Sequence, residues 1–410
     1  MKKSKIKVLG IIFLAVTAIF LVSWGRNAGK YIGESKNNQH NSYTEGGGNS
    51  ISNVNISRNE NEDYEIIDSL PKPISKEERA RSILSTMTLE DKIGQMFFVR
   101  CPQSEAVEKI VQYNFGGYIL FAEDFKDSSR EQVLKNTQSY QKASKIPMII
   151  GVDEEGGTVN RISKYPQFRS TPFSAPQSLY KEGGFELIAS DTEEKAKLLK
   201  SLGVNLNMAP VCDVSEDENN FIYKRTFGKD AKETSEYVQV VTETMKKEKL
   251  GAVLKHFPGY GNNVDTHKGI AYDMRDYATF ITSDFLPFKA GIEAGAGAVL
   301  VSHNIIASMD KEKPASLSQN VHRILREELQ FKGVIMTDDL VMDGIRKFTG
   351  EREAAVMAVL SGNDMLCATN FETQIPAVIS AVNNGEIPIE QIDASVLRIL
   401  LWKIDIGVIE

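Results

Sequence analysis

The chain has 410 residues, 41 % apolar and 25 % charged, which suits a globular protein with one large domain or two ordinary ones. The formal charge is −7 overall and +6 in residues 1–30, hence −13 on the rest, and so acidic a body excludes a nucleic-acid partner, whose phosphates demand a basic face. Cys101, Cys212 and Cys367 are an odd count, each in or beside an apolar run, so the sequence predicts buried inert thiols rather than a disulfide framework.

The chain opens MKKSKIK, followed by VLGIIFLAVTAIFLVSW from Val8 to Trp24: a basic cap, an uncharged apolar run and a Trp where a membrane interface would fall. Neither a small-x-small cleavage site nor a Cys for lipidation follows. Residues 1–24 are therefore expected to act as a signal peptide or, preferably, an uncleaved membrane anchor with its lysines inside, which leaves the body extracytoplasmic, tethered or secreted. Residues 25–72, rich in Asn, Ser, Gly and Glu, cannot bury enough apolar surface to offset ordering entropy and predict a disordered linker. Residues 73–410 are expected to form one catalytic domain. It starts with a Ser75–Glu78 capping box on a first helix and Thr88 at the head of a second.

Beyond that, short apolar runs alternate with longer amphipathic ones. The runs are IGQMFFV (93–99), GGYILF (116–121), PMIIGVD (147–153), VNLNMAPV (204–211), GAVLKHF (251–257), AVLVSH (298–303), GVIMTDD (333–339) and DMLCAT (364–369). Helical patterns fill the intervals, for example 184–202, 232–249 and 319–330. Eight strand–helix units predict a TIM (β/α)8 barrel, with a doubly wound open sheet as the alternative. In a barrel the working side chains stand at the C-terminal ends of strands. The runs end on Asp153, on Lys255 and His256, on His303, and on Asp338 and Asp339. No G-x-G-x-x-G follows the first run, and neither a P-loop nor H-E-x-x-H occurs, so the sequence asks for no cofactor and no metal.

KHFPGYGNNVDTHKG (255–269) carries two of the five histidines among three glycines, a loop suited to presenting chemistry rather than packing. Retaining hydrolysis of a glycosidic bond needs an anionic nucleophile on one face of the sugar and a proton donor near the leaving oxygen. Asp338, at a rigid strand end, suits the first task. His267, titrating near neutrality, suits the second, with Asp265 two residues away able to fix its tautomer. The D-x-H spacing alone is more often a solvated loop pair, and the residues alone do not separate Asp338 from Asp339.

Taken together, KHFPGYGNNVDTH, GVIMTDDLVMDGI and GVDEEGGTVNR resemble the bacterial β-N-acetylhexosaminidases of glycoside hydrolase family 3, in order from MTLEDKIGQMF to the C-terminus. The resemblance implies Asp338 as nucleophile, His267 as acid/base, Asp265 as its orienting partner, and Asp339 as a supporting residue or helix cap. It also implies that Asp153, Arg161, Arg225, Lys255 and His256 contact sugar hydroxyls and the N-acetyl or acidic parts of the substrate, with His303 at a matching strand end. Each has a plainer alternative: surface ion pairs for Arg161 and Arg225, satisfied strand ends for Lys255 and His256. The chain departs from the family pattern at Tyr260, where many relatives carry a second histidine, in a loop about one residue shorter, and at Thr158, where an Arg is common. Family β-glucosidases generally take their acid/base from a second domain, and this chain ends with the barrel, which favours the hexosaminidase branch.

The expectation is a monomeric, retaining exo-β-N-acetylglucosaminidase acting on terminal GlcNAc of small carbohydrates such as GlcNAc-MurNAc fragments of peptidoglycan. Trp24 and Trp402 are the only tryptophans, which argues for short substrates. The loop is expected to bring His267 in when substrate binds. The alternatives are a phosphorylase with the same residues, a wall-binding barrel that has lost its chemistry, and a magnesium cluster of Asp338, Asp339 and Asp343. That cluster is disfavoured because these aspartates follow an apolar strand.

Overall fold

The structure, a computed structural model, describes residues 74–261, 271–346 and 348–410. The expected anchor (1–24) and linker (25–72) lie outside the described residues, as do Asp265 and His267. Among the described residues no helix is long and apolar enough to cross a membrane.

Each of the eight apolar runs overlaps a strand, the first strand passing its run by one residue, and all eight strands join one parallel sheet. They are β1 (Phe97–Arg100), β2 (Gly117–Leu120), β3 (Ile149–Val152), β4 (Leu206–Asn207), β5 (Gly251–Phe257), β7 (Ala298–Val301), β9 (Val334–Thr337) and β10 (Leu366–Ala368). The sheet order is β10-β1-β2-β3-β4-β5-β7-β9. A parallel bridge from Met336 to Met365 and the Thr337 N–H to Met365 carbonyl hydrogen bond (3.1 Å) bring the last strand back to the first in the order, so the sheet is a barrel and not the open alternative. The strands are buried almost throughout, which is why they read as apolar runs rather than alternating ones. Two short strands, β6 (Tyr272–Asp273) and β8 (Ile305–Ile306), pair with each other in the loops that follow β5 and β7.

Local signals set the helix boundaries. Ser75 accepts from the Glu78 N–H (3.1 Å) while Glu78 accepts from the Ser75 N–H (2.8 Å), and Thr88 and Asp91 make the same reciprocal pair. The long helix Pro176–Ser201 breaks at Gly183 and Gly184, so its regular part begins close to the expected residue 184. Helix Ala231–Lys247 matches the expected span 232–249 to within two residues at either end, and Gln319–Arg323 runs on to Glu328 in wider i→i+5 turns. All three cysteines are free and buried; burial pushes the Cys101 thiol up to about 12 and those of Cys212 and Cys367 well above their ordinary value.

Candidate active site

The loop after β3 is organised from inside. Glu154, fully buried, is held by hydrogen bonds: its two oxygens accept from the N–H groups of Arg161 and Ile162 (both 2.8 Å) and of Ser163 (3.1 Å), and from the Ser163 hydroxyl (2.5 Å). Asn207 at the end of β4 clamps the Glu154 backbone through both its N–H and its carbonyl. The turn also needs Gly156: its φ is +99°, and a Cβ there would lie 2.3 Å from the Ser174 carbonyl oxygen. With the turn held this way, Asp153 and Glu155 face the end of β5.

There the strand register shifts between Leu254 and Phe257, and both Lys255 and His256 border the cavity instead of alternating across the sheet. Lys255, 2 % exposed, lies 2.7 Å from Asp153 Oδ1 and 2.5 Å from Glu155 Oε1. Arg225 grips Glu155 with two donors, Nε at 3.0 Å and Nη2 at 2.8 Å. Burial alone would raise the Glu155 carboxyl, but Arg225 and Lys255 outweigh it and hold it well below the usual carboxylate range. Burial likewise works to lower Lys255 and Arg225, and the carboxylates of Asp153 and Glu155 reverse it, so both cations stay charged.

His256 is fixed by its neighbours. An arginine can only donate, so Arg225 Nη2, at 3.1 Å, donates a hydrogen bond to His256 Nε2, and Nδ1–H then donates to Asp213 Oδ2 at 2.7 Å. Asp213 also accepts the backbone N–H of His256 (3.2 Å) and of Tyr260 (2.8 Å), which ties the start of the glycine-rich loop to the same carboxylate.

On the β9 side the two consecutive aspartates separate. Asp339 accepts from the Val341 N–H (3.1 Å) with one oxygen and from the Thr369 hydroxyl (2.8 Å) with the other; burial raises its carboxyl despite these bonds. Its carbonyl accepts from His303 Nε2 (3.0 Å), and His303 Nδ1 meets the Ser316 hydroxyl (2.8 Å), which places His303 as a brace behind the strand end. Asp338 donates its N–H to the Val301 carbonyl (3.1 Å) and accepts the Asp339 N–H on Oδ1 (2.9 Å).

Asp153, Arg161, Arg225, Lys255, His256 and Asp338 all border one cavity of about 310 Å³ at the C-terminal mouth, so six of the eight candidates come together there. The ends of β5 and β9 open toward the same end of the barrel. Arg225 is not a surface ion pair, for its partner Glu155 is buried; Lys255 and His256 are fully partnered and border the cavity as well. Arg161 stands 3.8 Å from Asp153, and its guanidinium and that of Arg100 approach the same Phe121 ring, at 5.6 and 4.5 Å from its centroid. Glu155, Asp213, Arg100 and Phe221 were not singled out from the sequence. The only signal for the first two was their place just past the ends of the third and fourth runs. A wall of fixed donors and acceptors in the same cavity as the strand-end carboxylate of Asp338 suits a polyhydroxylated ring. Among the described residues no group of His, Cys, Asp and Glu is arranged to hold a metal ion.

Comparison with known proteins shows the family. The model of the glycosyl hydrolase family 3 N terminal domain matches residues 88–401. A beta-hexosaminidase of Vibrio cholerae serotype O1 is 32 % identical over 278 residues, 67 % of this chain and 81 % of that protein. Beta-hexosaminidase A of Pseudoalteromonas piscicida is 29 % identical over 332 residues, 73 % of this chain and 55 % of that one, so the chain spans about half the length of that relative. The solved structure of a glycoside hydrolase family 3 beta-N-acetylglucosaminidase from Paenibacillus sp. superposes with a TM-score of 0.73 at 29 % identity, covering 78 % of this chain and 63 % of the other.

Proposed function

From the premise that the chain belongs to glycosyl hydrolase family 3, we propose that it is a retaining exo-β-N-acetylglucosaminidase that removes terminal non-reducing GlcNAc from small glycans, peptidoglycan GlcNAc-MurNAc fragments above all. One observation carries the proposal: Asp338 and the Asp153–Lys255–Glu155–Arg225–His256 network border the same cavity, whose volume of about 310 Å³ suits one or two sugar rings. The network grips the hydroxyls and the N-acetyl group of the terminal sugar while Asp338 stands under its anomeric carbon.

In the first step the Asp338 carboxylate attacks that carbon and the glycosidic bond breaks, its oxygen taking a proton from His267, which Asp265 orients. In the second step His267 removes a proton from water, which cleaves the glycosyl-Asp338 ester and releases GlcNAc with its β configuration retained. Asp339 is the supporting residue, its oxygens being engaged by Val341 and Thr369. The same proposal places the enzyme outside the cytoplasm as a monomer, held to the membrane by residues 1–24.

Trapping tests this directly. Incubation with a 5-fluoro GlcNAc donor should label a peptide containing residues 333–346 on Asp338, and the first product seen by NMR should be the β anomer. Labelling of Asp339, or an α first product, would refute it. Repeating the turnover with inorganic phosphate should yield free GlcNAc and no sugar 1-phosphate.

A further inference from the structure

Among the described residues that border the cavity, one large apolar side chain is exposed. Phe221 borders the cavity and is 38 % exposed, whereas His256 and Tyr260 beside it are 5 % and 2 % exposed. It lies in the loop after β4, in a stretch (EDENNFIYK) with no apolar periodicity that would bury it in the core. The ring is nevertheless held. It meets Tyr260 edge to face, with centroids 5.2 Å apart at 84°, and Tyr260 meets the His256 ring in the same manner at 5.2 Å and 70°. The preceding residue latches the loop: Asn220 Nδ2 donates to the Gly261 carbonyl at 2.7 Å. Leaving a phenyl ring in water at the edge of a polar cavity is unfavourable unless something apolar covers it.

We propose that Phe221 is the aromatic platform of the second-sugar site, stacking on the apolar C–H face of the ring on the leaving-group side of the scissile bond. The assignment rests on the glycosidase function proposed above. Lys255 and Glu155 are buried, Asp153 is partly buried, and the three offer only charged or hydrogen-bonding groups, which suit the terminal sugar. Phe221, four residues from Arg225, is the more exposed part of the same cavity wall, which suits the ring that follows the terminal sugar toward solvent. Tyr260 connects the two sites: it backs the platform on one side and the His256 imidazole on the other.

The test compares two substrates that both need protonation of a poor leaving group and differ only in the second ring: a β-1,4-linked GlcNAc disaccharide and methyl β-GlcNAc. Phe221→Ala should lower kcat/KM for the disaccharide about tenfold, mostly through KM, and leave the methyl glycoside within about twofold, the worth of one desolvated ring contact. Phe221→Trp should keep the wild-type preference, and unchanged melting temperatures would show that both variants are folded. An equal fall on both substrates would mean that Phe221 supports the protein rather than the sugar, and no fall on either would mean that nothing stacks there; both overturn the platform alone. A wild type that cleaves neither substrate overturns the proposed function and the platform with it.

Discussion

Two of the lysines buried among the described residues, Lys255 and Lys403, sit at opposite ends of this barrel and meet opposite fates. Lys255 at the mouth is 2 % exposed and sits between Asp153 and Glu155, which keep it charged. Lys403, on the last helix (Ile389–Asp405), is 0 % exposed and donates to a neutral partner, Gln95 Oε1, at 2.6 Å. Gln95 in turn donates to the carbonyls of Asn114 and Phe115, so this contact lies at the opposite end, where β1 and β2 begin. With no carboxylate beside it, burial pushes Lys403 down to about 7. Burial alone therefore does not decide charge; the partners do. Lys255 keeps its charge because carboxylates flank it, whereas Lys403 meets only the neutral oxygen of Gln95, which does not offset the cost of burying an ammonium.

The comparison can be broken from either end. The largest effect is expected where the mouth's charge does the chemistry: Asp338→Asn should lower kcat by about 10⁴-fold with no loss of melting temperature, measured on a chromogenic GlcNAc β-glycoside. A folded variant that keeps more than about a tenth of wild-type activity would remove Asp338 from the mechanism.

Lys255→Met should come next. It leaves Asp153 and Glu155 without the cation between them and should cost about 3–5 kcal/mol in urea unfolding, besides weakening substrate binding. A cost no larger than that of Lys403→Met would show that the mouth and the base are not built differently.

At the base the effect should depend on pH. The amine gives up its proton near pH 7 in the folded protein and near 10.4 in the unfolded chain, so between these values the unfolded chain binds more protons and stability rises with pH. Below pH 7 both states carry the charge and the burial penalty is fully present; above about 10.4 both are neutral and it is gone. Wild type should therefore gain about 2–4 kcal/mol relative to Lys403→Met between pH 7 and 10. A constant difference across that range would mean that the amine is solvated.

The smallest effect is expected from Asp213→Asn. Its amide would oppose the Nδ1–H of His256 and unsettle the tautomer that lets Nε2 accept from Arg225, so KM should rise about tenfold with kcat little changed. A fall in kcat alone would place Asp213 in the chemical step.

Much of this architecture was legible in the chain. Seven of the eight barrel strands fell within apolar runs and β1 overran its run only by Arg100, because a parallel strand covered on both faces has no polar side to interrupt it, and the first two helices began where Ser75 and Thr88 could cap them. The charged residues that end those runs were visible for the same reason, as interruptions at a predictable place. Partnerships were not. Glu155 reaches Arg225 across 70 positions and Asp213 reaches His256 across 43, pairings that exist only once the sheet has curled. Phe221 hid in a polar stretch, and Lys403 followed Trp402 in an amphipathic helix where a lysine is ordinarily solvated.

The sequence by itself determined which segments carry the eight barrel strands and which ionisable side chains stand near their ends, because hydrophobic period and capping are local properties. Only the tertiary structure decided that Asp338 shares a cavity with Lys255, that Asp339 is occupied by Thr369, and that one buried lysine keeps its charge while the other gives it up. Those outcomes depend on distances of a few ångströms between residues far apart in the chain, and closure of the barrel sets them.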